Sequence, residues 1–276
     1  MSTSGTTQNT PLTLLQSITS ASDDIRDLYL DIVLKCLLNV IYEDPPQDFW
    51  SGQAYNLEHR LRGFDWPSKA HTMIGYYRMN NIRETMEYVL QRNIPGDFIE
   101  TGAWRGGSCI FMRAILKAYG VKDRFVWVAD SFEGLPEPNP EKYPADAGDK
   151  HHTYEALAVS LEEVQSNFAK YGLLDEQVRF LKGWFKDTLP QAPIERLAIL
   201  RLDGDMYEST MDAFVNLYDK VSEGGFVIVD DFGAVRGCQQ AVIDFRNQRG
   251  IQDTVFNIDG AGVFWQKGSG PVQALS

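Results

Sequence analysis

The stretch "GDFIETGAWRGGS", residues 96–108, decides the fold. A short apolar run ends on Glu100, and Gly102, Gly106 and Gly107 follow within six positions. The continuation, "GGSCIFMRAILKAYG", puts Ile110, Phe111, Ala114, Ile115 and Ala118 on one helical face and stops at Gly120. The stretch therefore predicts a strand, a glycine turn and a helix. Bare backbone at such a turn lets a ligand approach the chain and the first N–H groups of the helix.

The same rhythm continues outward from it. "FVWVADSF" (125–132), "VRFLKGWF" (178–185), "LAILRLD" (197–203) and "FVIVDDF" (226–232) are short β-rich runs separated by helical stretches. That alternation predicts parallel strands joined by crossover helices. "DTVFNIDGAGVFWQK" (253–267) reads as two strands around a turn, an antiparallel hairpin closing the sheet. Upstream, "DDIRDLYLDIVLKCLLNVI" (23–41) is an amphipathic helix, with Leu28, Ile32, Leu34, Leu38 and Ile41 near helical spacing, and helix returns at about 80–92. The expected division is a loose tail over 1–22, a helical extension over 23–95, an α/β domain over 96–267 and a second loose tail over 268–276.

In an open parallel sheet, ligands bind beyond the carboxyl ends of the strands. Those ends here carry Glu100-Thr101-Gly102, Asp130, "GWFKDTLP", "RLDGDMY" and "VDDFG". An acid after the second strand commonly accepts hydrogen bonds from ribose hydroxyls, and Asp130 fits that role. The glycines lack the G-x-G-x-x-G spacing that seats a dinucleotide pyrophosphate, which disfavours a nicotinamide or flavin enzyme. S-adenosylmethionine has ribose and adenine but no pyrophosphate, so Glu100 is tolerable beside it.

Asp203, Asp230 and Asp231 end the fourth and fifth strands, which should be neighbours. Three massed carboxylates repel one another, whereas a hard divalent ion such as Mg²⁺ holds them ionised. The bland alternative is that "DD" caps a turn and "DGD" is a loop. Asp205 rivals Asp203 for the metal or base role, although its place further into the loop suits a cap on the helix near "ESTMDAF".

A chain of 276 residues, 43% of them hydrophobic, can bury a sizeable core, and its net charge of -12 argues against nucleic acid or anionic membrane as a partner. Cys36, Cys109 and Cys238 form neither a disulfide framework nor a zinc motif, which suits a reducing cytoplasm. No apolar run is long enough to span a bilayer, and neither a signal peptide nor an anchor is read.

Six stretches together resemble the TylF family of class I S-adenosylmethionine-dependent sugar O-methyltransferases, of the macrocin, mycinamicin and NovP type. They are "LYLDIVLKCLLNVIYED", "DWPSKAHTMIGYYRMNNI", "PGDFIETGAWRGGSCIFM", "VADSFEGLP", "LRLDGDMYESTMDA" and "GGFVIVDDFG". The resemblance implies a Rossmann-like α/β fold with a seven-stranded, mostly parallel sheet and an antiparallel C-terminal strand, plus an N-terminal helical extension. It implies S-adenosylmethionine and Mg²⁺ as cofactors, and a glycosylated, macrolide- or aminocoumarin-like small molecule as acceptor. Glu100, Thr101, Gly102, Ala103 and Ser108 match the cofactor loop, Asp130 and Ser131 the ribose contact, and Gly183, Trp184 and Phe185 the segment near the adenine. Met73 matches a stretch folded over the methionine end. Asp203, Asp230 and Asp231 match the metal ligands, with Asp203 also touching the cofactor and serving as general base. The family and the amphipathic first helix suggest a homodimer or larger homo-oligomer, although that helix could equally cover its own core.

The alternatives are another enzyme on this scaffold, either a metal-dependent hydroxylase or a nicotinamide oxidoreductase, and a non-catalytic homologue. His71 is an alternative base. The polar, Pro-bearing segment at 137–152 reads as a lid or a solvated loop.

Overall fold

The computed structural model describes residues 11–19 and 21–271; the rest of the two expected tails lies outside the described residues. Within the N-terminal stretch expected to be loose there is a helix, α1 (Pro11–Ser17), with proline at its first position, where φ is preset and no N–H is needed. The other end is fastened as well. Gly268 and Gly270 donate their amides to the buried Asp253 carboxylate at 3.1 and 2.8 Å.

The chain divides into two compact units, one ending at Tyr76 and the other beginning at Tyr77. The first holds α1, α2 (Ile25–Leu37) and α3 (Leu57–Arg62). Asp24 and Asn56 cap α2 and α3 by accepting from Arg26 N and His59 N, and Gly63 ends α3 in the left-handed conformation. The apolar stripe of α2 is rotated from the expected one. Leu30, Val33, Leu34 and Leu37 are buried, while Leu28 and Ile32 are half exposed.

The second unit begins two residues into α4 (Gly75–Gln91), well before the expected boundary at 95/96. The reason is packing: Met79, Ile82, Met86 and Val89 of α4 are fully buried, and Tyr88 meets Phe226 edge-on at 5.2 Å. There follow β1 (Asp97–Thr101), α5 (Gly107–Ala118), β2 (Val126–Asp130), α6 (Leu161–Lys170), β3 (Val178–Lys182), the short α7 (Phe185–Thr188), β4 (Leu197–Leu202), α8 (Tyr207–Leu217), β5 (Val221–Val229), α9 (Arg236–Arg249), β6 (Phe256–Asn257) and β7 (Val263–Gln266).

The strands form one seven-stranded sheet in the order β3-β2-β1-β4-β5-β7-β6. β3 to β5 in that order are parallel, and β7 runs antiparallel to both β5 and β6, as the hairpin pattern predicts. β4 is buried along its whole length and β1 from Phe98 onward, which is why both read as unbroken apolar runs. On one face, Leu200, Leu202, Val227 and Val229 pack with Phe214, Phe245 and Trp265, where Phe214 and Phe245 stack at 4.4 Å. This rigid centre fixes the ends of β1, β4 and β5, and the chemistry-bearing residues are gathered there.

Candidate active site

β1 and β4 run in register, Glu100 beside Arg201 and Thr101 beside Leu202, and the chain leaves both strands at the same level. Gly102 at φ +99° turns the backbone out of β1, with its amide on Ala129 O, while Asp203 N donates to Thr101 O. The turn ends at Gly106 (φ +85°), where a Cβ would stand 2.9 Å from Val164 Cγ1. On the other side of β1, the Asp130 carboxylate accepts from Ala103 N and Phe132 N, each at 2.7 Å, and so ties the glycine turn to the end of β2. Burial pushes the Asp130 carboxyl up against the pull of those amides. Ser131 is buried and donates to Gly134 O at 2.6 Å. Gly183 (φ +136°) donates to Asp130 O, which brings half-buried Trp184 and Phe185 to the end of β3 beside Asp130.

The acidic residues at the ends of β4 and β5 do converge. Oxygens of Asp203, Asp230 and Asp231 all lie within 4.8 Å of one another. Asp230 and Asp231 are buried, and the Asp203 side chain is 21% exposed. Burial, followed by repulsion from Asp230, holds the Asp203 carboxyl well above the usual carboxylate range despite the opposing Arg201. Burial and then Asp205, Asp203 and Asp230 do the same to Asp231. Asp205 stands at φ +59°, donates its amide to Asp231 Oδ2 at 3.2 Å, and is pushed up to about 6 by burial, with the His151 imidazole pulling it back.

Two guanidiniums thread this cluster, and sequence reasoning missed both. Arg201, with no exposed surface, donates through Nη1 to Glu100 and to Asp203 Oδ2 (2.7 Å) and through Nη2 to Asp230. Arg78 of α4 donates to the other oxygen of Asp230 and, at 3.0 Å, to Asp259 in the β6–β7 turn. Arg201 did leave a signal: it is the lone charge within the apolar run "LAILRL" (197–202), and a buried charge must be paired. Arg78 left none.

Three residues of the expected cofactor loop turn inward. Glu100 is fully buried, its carboxylate taken by Ser108 Oγ, Cys109 Sγ (2.9 Å) and Arg201. Ser108 is therefore spent on Glu100, and Thr101 is 1% exposed with its hydroxyl near Arg201 O. Gly102 and Ala103 remain at the turn. Met73 and His71 belong to the first unit, where His71 N donates to Leu37 O.

Asp205 does not cap α8. The amides of Tyr207 and Glu208 are met instead by Asp146, at 2.6 and 3.1 Å, from the 137–152 segment. That segment is folded into 3-10 turns at Pro144–Asp146 and His151–Thr153, and Asp149 Oδ2 accepts from His151 Nδ1 at 2.7 Å.

A sheet of this order, with a glycine turn after β1, an acid after β2 and carboxylates at the ends of β4 and β5, defines the class I methyltransferase fold. The chain belongs to the family described as Macrocin-O-methyltransferase (TylF), which it matches over residues 12–267, and is an O-methyltransferase. It is 53% identical over 256 residues (92% of this chain, 98% of the relative) to "8-demethyl-8-(2,3-dimethoxy-alpha-L-rhamnosyl)-tetracenomycin-C 4'-O-methyltransferase" of Streptomyces olivaceus. Over 246 residues (87% of this chain, 96% of the relative) it is 49% identical to "Mycinamicin III 3''-O-methyltransferase" of Micromonospora griseorubida. The solved O-methyltransferase NovP superposes with a TM-score of 0.84 at 53% identity, covering 88% of this chain and 99% of that one. Among the described residues no helix is long and apolar enough to cross a membrane.

Proposed function

We propose that the chain transfers a methyl group from S-adenosylmethionine to a hydroxyl on the sugar of a glycosylated small molecule in antibiotic biosynthesis, using Mg²⁺ held by Asp203, Asp230 and Asp231. The observation that carries this reading is the convergence of those three carboxylates, within 4.8 Å, beside the glycine turn that follows β1. A sugar acceptor is supported by relatives whose names specify a rhamnosyl tetracenomycin and mycinamicin III.

The donor set fits a hard divalent cation. Its atoms are all oxygens, and the positive groups available are too few. Arg78 and Arg201 face Glu100, Asp203, Asp230 and Asp259, with Asp205 and Asp231 close by, so two guanidiniums stand against six carboxylates, with the His151 imidazole beside Asp205 as the one further basic group. Burial first, and then repulsion among the carboxylates, raises the Asp203 and Asp231 carboxyls, and a divalent ion there would hold them ionised.

When bound, S-adenosylmethionine supplies an electrophilic methyl and Mg²⁺ a charge that favours an ionised alcohol oxygen. The residues do the rest. Arg201 fixes the direction of Asp203 by donating to Oδ2, and the Asp203 carboxylate takes the proton from the acceptor hydroxyl. Asp130, held by two amides, would accept from ribose hydroxyls, and Gly183, Trp184 and Phe185 at the end of β3 would border the adenine. Gly102 and Ala103 present bare or small backbone to the donor, and Glu100, Thr101, Ser108 and Ser131 brace that surface from within the fold. A second reading makes Asp205 the base, because it lies in the same loop with no guanidinium partner among the described residues and titrates near 6.

The acidic chain and its three unpaired cysteines suit the cytoplasm, and the exposed Ile25, Leu28 and Ile32 of α2 suit a homodimer. Calorimetry with S-adenosylmethionine and NADH, then mass spectrometry of glycosylated acceptors with and without chelator, tests the whole reading. It expects binding of S-adenosylmethionine but not NADH, and methylation that chelation stops and Mg²⁺ restores. Asp203→Asn should retain donor binding and lose about 10²-fold or more in turnover. Undiminished activity after exhaustive chelation would remove the metal, and wild-type turnover in that variant would remove the base.

A further inference from the structure

Arg201 and Glu100 join two parts of the site that the proposed reaction uses separately. Glu100 on β1 and Arg201 on β4 are cross-strand neighbours in the middle of the sheet, and neither has exposed surface. From Arg201 the guanidinium reaches outward to Asp203 at 2.7 Å and to Asp230, two of the three clustered carboxylates. From Glu100 the carboxylate reaches the opposite way, accepting from Ser108 Oγ and from Cys109 Sγ at 2.9 Å. Ser108 and Cys109 form the first turn of α5, the helix that the Gly102–Gly107 turn feeds. A buried, hydrogen-bonded chain therefore runs from the carboxylate cluster through one guanidinium and one carboxylate to the glycine turn.

Such a chain transmits charge. While the cluster holds no cation, Arg201 is shared among Glu100, Asp203 and Asp230, and each competes for its protons. A cation on Asp203 and Asp230 lowers their demand, which commits Arg201 more fully to Glu100 and firms the anchor of the first turn of α5. In a dry interior such charge-assisted bonds are strong enough for this redistribution to matter.

We propose that Glu100 and Arg201 are positioning residues that couple the two binding sites, so that a divalent cation on the aspartates tightens binding of the adenosyl donor at the glycine turn, and the donor tightens the cation equally. The reciprocity is required by linkage. The proposal rests on the donor and metal of the proposed function. A direct effect works against it, because a sulfonium and a divalent cation repel; S-adenosylhomocysteine, whose sulfur is neutral, removes that repulsion and is the probe of choice.

The test is calorimetric titration of the full chain with S-adenosylhomocysteine, with and without Mg²⁺, and with Mg²⁺ with and without S-adenosylhomocysteine. In the wild type each ligand should lower the Kd of the other by the same factor, about fivefold or more. In Glu100→Gln both ligands should still bind, with that factor falling towards one. Ser108→Ala, which removes one of the two α5 donors to Glu100 and leaves Arg201 with all its carboxylates, should reduce the factor while leaving the Kd for Mg²⁺ alone unchanged, and it serves if Glu100→Gln does not fold. A residue needed only for stability would leave the factor intact in any variant that folds. Binding of both ligands with no mutual effect overturns the coupling and leaves the proposed function standing. Coupling that persists in both variants overturns the route through Glu100. Failure of the wild type to bind either ligand removes the proposed function and this inference together.

Discussion

Gly102 lies against Asp203 so closely that a Cβ on the glycine would stand 1.8 Å from the aspartate's carbonyl oxygen. The residue that opens the turn after β1 thus sets the position of the first carboxylate beyond β4. Gly102→Ala must both strain a backbone at φ +99° and push the Asp203 peptide away. The strain alone costs about 1–3 kcal/mol. Urea unfolding should show that loss, and calorimetry should show weakened Mg²⁺ binding even in the fraction that folds. An alanine variant with unchanged stability and metal affinity would mean that the two loops separate at no cost.

The carboxylate cluster makes stability depend on pH in a direction opposite to that of ordinary ion pairs. Burial lifts Asp205 from 3.8 to about 6 and lifts Asp203 and Asp231 as well, so without a cation the folded chain holds protons that the unfolded chain releases. This contribution to stability is complete below about pH 4 and is lost as the pH rises through 6. Other groups run the other way, Asp44 and Asp175 among them, so the comparison has to be made against a variant. In chelator, Asp205→Asn should gain in melting temperature over the wild type between pH 5 and pH 8, and Mg²⁺ should narrow the gap. A difference between the two proteins that stays flat across that range would show that Asp205 carries no such shift.

The first unit is pinned by one buried cation. Arg60, 1% exposed, binds Asp65 through Nε and Nη2 and Asp44 through Nη1, and also donates to the carbonyls of Leu38 and Asp44. Tyr55 lies over it at 5.3 Å. Removing the guanidinium strands two buried carboxylates, a loss of about 3–5 kcal/mol. Arg60→Met, which keeps the bulk but not the charge, should show this in urea unfolding. A loss below 1 kcal/mol would mean that Asp44 is satisfied by its remaining donors, Asn39 Nδ2, Ser68 Oγ, Lys69 N and Ala70 N.

The frame of this protein was readable because its strands are short apolar runs closed by glycines and acids, and the period-two and helical patterns both point to one sheet. The aspartate trio was readable for the same reason, since adjacent parallel strands bring their carboxyl ends together. What escaped was whatever depends on a partner far along the chain. Glu100 reads as a ligand from its place at a strand end, yet its partners Arg201 and Ser108 turn it inward. Gly102 and Gly106 read as bare backbone for a ligand, and a second demand on them came from far along the chain: Asp203 O and Val164 Cγ1 stand where a Cβ would be. The boundary moved from 95/96 to Tyr76/Tyr77 because the burial of α4 depends on the sheet it packs against, which its own periodicity does not reveal.

The helix that follows the aspartate loop depends on such a distant partner. Met206 occupies the N-cap position of α8 without a capping side chain, and Asp146, 2% exposed, supplies the bonds to Tyr207 N and Glu208 N. Gly237 makes room for it, since a Cβ there would stand 2.4 Å from Asp146 Oδ1. Asp146→Ala should therefore cost about 1 kcal/mol, the usual worth of a cap, and loosen the Asp203–Asp205 loop immediately before α8. In kinetics the expected signature is a higher KM for the acceptor and a lower kcat, with the affinity for the adenosyl donor unchanged, because the donor contacts proposed above are at the ends of β1, β2 and β3. Gly237→Ala should reproduce that pattern by displacing Asp146 rather than deleting it. If both variants keep wild-type kinetics while losing stability, the segment serves the helix alone and has no part in shaping the site.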